Sequence, residues 1–358
     1  MRRNISTNQL LLVARTWSNR GIHTDFQHFF NFFPGSINIT NSKFFSWDNK
    51  FYRFLRNQAR HDGYSSLSVR LELEVLKQAL IHRPKIIHYW FADHDYHFAS
   101  YIAKLVGAKI VGNFFFSIEE FERRMPCKNH LKKLDLITAS GKEQMEYLSQ
   151  FVSKDKLAYL PLGIDTDYFT PNKQRLNETK SQKTLLHVGT NRRDFHTLKM
   201  VFLKLKQLLP DIQLEMVGGA RAKDIFAGLE NVTFHTFLSD EELVKVYQSA
   251  TILILPLLEG GSSQALNEAM ASGLPVVTND LPNLRDYVTE EAVFLSPVGN
   301  VEMMVRDCYK LLTDQNKLNN ASQSARDHSL QYNFKNIRQI ILNLYSNKLG
   351  YKIDKDFN

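Results

Sequence analysis

The sequence predicts an α/β protein of two doubly wound, Rossmann-like lobes, and three observations carry that reading. At 358 residues the chain is longer than one hydrophobic core usually organises. Short apolar, β-rich runs alternate with helical patterns along its length, the signature of parallel sheets covered by helices. A polar stretch without apolar periodicity, PNKQRLNETKSQK from Pro171 to Lys183, separates one set of runs from the other. Lobes of residues 1–170 and 171–334 follow from it.

In the first lobe the expected strands are Leu10 to Ala14, Ile86 to Tyr89, Lys109 to Phe114, Leu136 to Thr138 and Leu157 to Tyr159. In the second they are Thr184 to Val188, Gln213 to Val217, Val232 to Phe234, Ile252 to Leu255, Val276 to Thr278 and Val293 to Leu295. The closing helical pattern, Asn336 to Tyr345, sets Ile337, Ile340, Ile341 and Leu344 on one face, which needs a surface to cover once the second sheet is complete.

With 43% hydrophobic and 23% charged residues, the chain has the composition of a globular protein rather than a disordered one. Cys127 and Cys308 lie far apart and match no ligand spacing, so neither a disulfide framework nor a zinc site is expected, and a reducing compartment is the simplest home. The apolar run Leu10 to Ala14 is too short for the core of a signal peptide, and no run of about 18 apolar residues occurs, so a cytoplasmic protein is expected. Residues 1–170 hold 23 Lys and Arg against 16 Asp and Glu, whereas residues 171–358 hold 22 against 21. The basic first half suits an anionic membrane surface, such as the inner membrane face, or an acidic acceptor. Nucleic acid is not expected, because no finger, RNA-binding or helix-turn-helix pattern occurs.

The segment most informative about chemistry is ILILPLLEGGSSQALNEAMASGLPVV, from Ile252 to Val277. It reads as a strand, a Gly-rich turn, a helix opening near Ser263 and closing at Gly273, and another strand. Gly260 and Gly261 let the backbone approach a ligand, and the helix start, with Ser262 and Ser263, offers unpaired N–H groups to an anion. Glu268 sits among Ala265, Leu266, Ala269 and Met270, a buried context in which a carboxylate needs partners. Two ribose hydroxyls would serve; a neighbouring loop capped by Glu268 is the alternative. A second strand-turn-helix segment, LLHVGTNRRDFHTLKMV, turns at Gly189 and carries Arg192 and Arg193 where a helix begins.

These segments resemble the donor-binding region of retaining GT-B glycosyltransferases of family 4. The matching residues are Glu259, Gly260, Gly261, Glu268, Ala269, Met270, Ala271, Gly273, Pro275, Val276 and Val277, and, around the other turn, Arg192, Arg193, Asp194, Phe195, Thr197 and Leu198. Eight residues separate Glu259 from Glu268 where the family usually has seven, and Arg193 stands where Lys is usual. PLGIDTDYFTP from Pro161, SDEELVKVYQSATILILP from Ser239 and SLQYNFKNIRQIILNLY from Ser329 extend the resemblance over residues 160–345.

The resemblance implies the GT-B fold, with a cleft between the lobes and a last helix, about 335–350, crossing back onto the first. It implies a glycosyltransferase that takes sugar from a UDP- or GDP-sugar and transfers it, with retention of configuration and without a metal or other cofactor, to a glycan or lipid-linked acceptor. Arg192, Arg193 and the backbone of Gly260 to Ser263 would then stabilise the leaving diphosphate. In the first lobe Gly21 would face the pyrophosphate from the turn Ser18 to Ile22, while Asp93 and His94 would stand at the mouth of the cleft. The histidine that often follows the strand Lys109 to Phe114 is absent; Phe115 occupies its place. A catalytically silent nucleotide-sugar-binding protein and a GT-B epimerase are the alternatives.

Asp93-His94-Asp95 and Asp165-Thr166-Asp167 also match D-x-D, the metal-binding pattern of GT-A glycosyltransferases, but that fold would leave the second half unexplained. A dinucleotide-binding dehydrogenase would need a G-x-G-x-x-G after the first strand, and none is there. Between Lys43 and Arg60 a helical face of Phe44, Trp47, Phe51 and Leu55 is flanked by Lys50, Arg53, Arg56 and Arg60. It could pack into the first lobe or lie on an anionic membrane.

Overall fold

The computed structural model describes residues 2–16, 23, 25–41, 49–172, 183–218, 220–236, 238–260 and 263–354. The chain divides into two compact units, Met1–Leu162 with Lys335–Asn358, and Gly163–Phe334.

The first unit contains β1 (Arg3–Ile5), β2 (Leu10–Val13), α1 (Asp25–Asn31), β3 (Ile37–Ile39), α2 (Lys50–Ala59), α3 (Ser66–His82), β4 (Ile86–Tyr89), α4 (Ala92–Asp95), α5 (Ala99–Val106), β5 (Lys109–Phe114), α6 (Ile118–Arg124), β6 (Leu136–Ala139), α7 (Lys142–Leu148) and β7 (Leu157–Tyr159). Six of these strands form a parallel sheet in the order β3-β2-β4-β5-β6-β7. Its central strands are covered on both faces, which is why they read as nearly continuous apolar runs. On one face Leu11, Val13, Ile87, Tyr89 and Phe114 pack with residues of α3, α5, α6 and α7. On the other, Phe29 of α1 meets His88 edge to face and lies tilted against Trp90, with ring centroids 4.9 and 4.5 Å away.

Local chemistry sets the helix starts. Ser65 and Ser68 exchange hydrogen bonds at the head of α3, each hydroxyl accepting from the other's backbone N–H at 3.3 and 2.9 Å. Glu72, further along α3, accepts the N–H groups of His97, Phe98 and Ala99 at 2.8–2.9 Å and so caps α5 with a buried carboxyl. Burial raises that carboxyl to about 7, and these hydrogen bonds oppose the shift.

The second unit contains β8 (Thr184–Val188), α8 (Phe195–Leu208), β9 (Gln213–Val217), α9 (Ala220–Phe226), β10 (Val232–His235), α10 (Asp240–Ser249), β11 (Ile252–Leu255), α11 (Gln264–Ala271), β12 (Val276–Asn279), α12 (Pro282–Arg285), β13 (Val293–Ser296), α13 (Val301–Thr313) and α14 (Gln315–Ser329). Its parallel sheet has the order β10-β9-β8-β11-β12-β13. Leu186, Val188, Leu253 and Leu255 face α10, α11 and α14, while the alternate residues Leu185, Ile252 and Ile254 face α8 and α13.

The seam between the units falls before Gly163, not at the polar stretch after residue 170. Ile164 and Phe169 join the apolar core of the second unit. Arg326 of α14 fastens the same segment, donating to Thr166 O and Phe169 O at 2.9 Å and to Ala271 O at 2.7 Å. Most of the polar stretch itself, residues 173–182, lies outside the described residues.

After α14 the chain forms α15 (Phe334–Leu344) and β14 (Tyr351–Ile353), and from Lys335 it belongs to the first unit. Tyr345 reaches the sheet face lined by α1, packing on Phe33 at 5.9 Å and hydrogen-bonding His88 at 2.6 Å. β14 pairs in parallel with β1, Arg3 opposite Tyr351. The structure thus adds three strands to the expected set: β1, β3 and β14.

Candidate functional site

In open α/β sheets ligands bind beyond the carboxyl ends of the strands, where strand order reverses. In the second unit the chain moves from β8 outward to β9 and β10, then returns to β11 on the other side of β8. The turns after β8 and β11 therefore lie side by side. Asp194 N–H donates to Pro256 O and Leu258 N–H to Arg192 O, both at 3.0 Å, and Arg193 forms an antiparallel bridge with Leu257.

This pairing holds Arg192 in the left-handed region, with φ 59°, a conformation that costs a non-glycine residue about 1–2 kcal/mol. Its Nε lies 3.4 Å from Glu259 Oε1, each side chain 27% exposed. Arg193 turns inward: Nε donates to Val188 O at 3.0 Å and Nη1 to Asn191 O at 3.3 Å. Burial lowers its guanidinium to about 10, while Tyr247, Tyr287 and Glu268 act in the opposite sense, so it stays charged at neutral pH. Gly189 has φ +93°, a conformation that strains any residue with a side chain, and a Cβ there would also meet Arg193 Nη2 at 2.9 Å. Asp194 is the N-cap of α8, accepting from Thr197 N–H at 3.0 Å.

On the other turn, Glu268 is 5% exposed and Oε2 accepts from Tyr247 Oη at 2.8 Å. Tyr247, on α10, is fully buried and packs on Phe169 with ring centroids 6.0 Å apart. One carboxylate oxygen expected to meet ribose is therefore engaged by a tyrosine. Two further expectations change. Ser263 occupies the N-cap position of α11 without a side-chain cap, its Oγ buried with no hydrogen-bond partner among the described residues, and its N–H donates to Tyr287 Oη at 2.9 Å. Gly260 makes room for the fold itself: a Cβ there would lie 2.5 Å from Leu281 Cδ1, and its carbonyl accepts from Asn283 Nδ2 at 3.1 Å. Gly261 and Ser262, like Gly21 of the first unit, lie outside the described residues.

Residues 169–328 match the family model described as glycosyl transferases group 1. That match lies within the second unit. Curated relatives include the sulfoquinovosyl transferase SQD2 of Arabidopsis thaliana, 27% identical over 190 residues, or 48% of this chain and 36% of that protein. Another is the MMP α-(1→4)-mannosyltransferase of Mycolicibacterium hassiacum, 27% identical over 213 residues, 55% of this chain and 50% of that one. The matches thus span between about a third and a half of the length of these two relatives. Among solved structures, a glycosyltransferase from Rickettsia africae superimposes with a TM-score of 0.68 at 14% identity, covering 95% of this chain and 98% of its own. Anabaena HepE, solved with UDP-glucose, does so with a TM-score of 0.68 at 13% identity, over 94% and 99%. Both units are covered, and the fold is GT-B.

In the first unit, strand order reverses between β2 and β4, and the segments beyond them hold Arg15 and the Asp93–Asp95 group. Asp93 is 1% exposed and Oδ2 accepts from Phe115 N–H at 2.8 Å, so it braces the turn after β5 at the position of the missing histidine. Burial raises its carboxyl to about 7. His94 is half-buried against Phe116, ring centroids 4.9 Å apart, and burial lowers it to about 3, which keeps it neutral. Asp95 pairs with Arg15 at 2.5 Å, and Arg15 also donates to Ser68 Oγ at 2.7 Å. One oxygen of each carboxylate in this D-x-D is thus engaged by the fold, Asp93 Oδ2 by Phe115 N–H and Asp95 Oδ1 by Arg15. Asp165, in the other D-x-D, accepts the N–H groups of Asp167 and Tyr168 at 3.2 and 3.1 Å, an Asx turn.

Proposed function

We propose that the protein is a glycosyltransferase that moves a sugar from a UDP- or GDP-sugar to a glycan or lipid-linked acceptor, with retention of configuration and without a metal. The observation that supports this reading best is the convergence of Arg192, Arg193, Glu259 and Glu268 on the reversal point of the second sheet. There the carboxylate of Glu268, oriented by Tyr247, suits ribose hydroxyls, and the two guanidinium groups suit a diphosphate. As the bond between sugar and diphosphate breaks, negative charge grows on the leaving group, and cations already in place stabilise it without reorganisation. No side-chain nucleophile is assigned. Asp93 and His94 would act from the first unit, and peripheral contact with an anionic membrane belongs to the same reading.

A silent nucleotide-sugar-binding protein is the second reading, favoured by Phe115 at the histidine position with Asp93 hydrogen-bonded to its N–H. Incubation with UDP-, GDP- and ADP-sugars, followed by thermal shift and nucleotide release with and without glycan acceptors, separates the two. Release that needs an acceptor supports transfer. Stabilisation without release supports the silent protein, and release of free sugar without an acceptor supports an epimerase.

A further inference from the structure

Thirteen large apolar side chains are exposed among the described residues, and seven of them lie between residues 51 and 105, on three helices of the first unit. The inner face of α2 differs from the expected one: Tyr52, Leu55 and Ala59 pack with Tyr64 and Val69. Phe51 and Phe54 are left 55% and 60% exposed, with Lys50 and Arg53 exposed along the same helix, while Phe44 and Trp47 lie outside the described residues.

α2 covers only the first turns of α3, where Arg70 lies 5.8 Å from the Tyr52 ring. Beyond that cover the same helical stripe of α3 continues as Leu73, Lys77, Leu80 and Ile81, all exposed. α5 packs beside α3 and adds Tyr101 and Leu105, 57% and 74% exposed, with Lys104 between them. Lys133 stands 3.8 Å over the Tyr101 ring. Residues 50–105 contain nine Lys and Arg and five Asp and Glu, and three of those acids, Glu72, Asp93 and Asp95, are buried. The outward side is therefore apolar and cationic together.

We propose that the outer side of α2, α3 and α5 docks on an anionic lipid bilayer, with its aromatic and aliphatic side chains entering the headgroup boundary and its cations over lipid phosphates. Lysines and arginines beside apolar groups keep their charge in water while their stems enter the boundary, and the attraction of each to an anionic surface adds to apolar burial. A second copy of the chain fits less well, since two such faces would bring like charges together. The proposal deepens the membrane contact of the reading above but does not depend on glycosyl transfer.

The test is co-sedimentation of the full chain with phosphatidylcholine vesicles, with and without phosphatidylglycerol, at low and high salt. Two variants are compared, F51S/F54S and L80Q/L105Q, each checked for fold by circular dichroism and melting. Binding that needs phosphatidylglycerol, weakens with salt and falls about tenfold or more in each folded variant is expected. No binding of wild type to anionic vesicles, or undiminished binding in whichever variant folds, overturns it. So does a wild-type dimer, by light scattering, that these substitutions make monomeric. UDP-sugar binding in the same samples reports the donor site separately, so failure of one reading leaves the other visible.

Discussion

Tyr247 Oη donates to Glu268 Oε2 at 2.8 Å, and neither side chain is more than 5% exposed. A buried carboxylate that accepts from a neutral donor is held in its orientation, because turning away would forfeit that hydrogen bond.

Glu268→Ala should therefore weaken nucleotide binding by at least about a hundredfold, the loss expected from two hydrogen bonds to a charged group. Tyr247→Phe should weaken it by roughly tenfold, since the carboxylate remains but loses its anchor. Titration calorimetry with the nucleotide chosen by the donor panel measures both. Wild-type affinity in a folded Glu268→Ala protein would remove the ribose assignment.

Arg193 holds the turn after β8 and is also the proposed partner of the diphosphate, so its variants should split stability from turnover. Arg193→Lys keeps a charge but loses its two-pronged geometry, and activity should largely survive, because Lys is usual there in the family that the sequence resembles. Arg193→Ala should cut turnover at saturating donor by roughly a hundredfold, the scale of losing one transition-state donor. It should also lower the melting temperature, since Val188 O and Asn191 O lose their donor. Full turnover in the Ala variant would leave Arg193 a purely structural residue.

Saturating EDTA should leave transfer unchanged. Asp95 is paired with Arg15 and Asp93 with Phe115 N–H, so neither is expected to recruit a cation for the reaction. Activity abolished by EDTA and restored by Mn would reopen a metal-binding role for Asp93 and Asp95.

His88 should make the first unit sensitive to acid. Burial lowers its imidazole from 6.5 to about 4, against an opposing hydrogen bond with Asn113. Between those values the unfolded chain binds a proton that folded His88 refuses, so stability falls as pH drops through the window, by on the order of 3 kcal/mol. Asp93, raised to about 7, acts with the opposite sign, gaining stability as pH falls, and is present in both proteins when wild type is compared with His88→Gln. Urea unfolding at neutral and mildly acid pH should show a smaller acid loss in the variant. An equal loss would place the sensitivity elsewhere.

The parallel-sheet strands were legible because burial on both faces makes them apolar runs bounded by turn residues, as in Ile252–Leu255 and Thr184–Val188. β1 and β14 were not, because three residues carry little pattern and each depends on a partner at the other end of the sequence. In the site, Glu268 was recognisable as a charge in apolar company. Tyr247 was not, since an aromatic on the inner face of an amphipathic helix reads as core until its hydroxyl is seen to meet a carboxylate. Gly260 has a reason for close approach that the sequence did not show: a Cβ there would meet Leu281. The seam was misplaced because polarity marks where chain is solvated, while the packing of Ile164 and Phe169 decides where a unit starts.

The pairing of β1 with β14 gives the first unit an awkward birth. A ribosome that has just added residue 162 has made all six strands of the first sheet, yet Tyr345 and β14 do not exist until the whole of 163–334 has followed. Until then the side lined by Phe33 and His88 has no tyrosine to cover it, and β1 has no strand to pair with. The first unit to be translated is thus the last to be finished, and the nascent chain must keep that side out of wrong company while its neighbour folds.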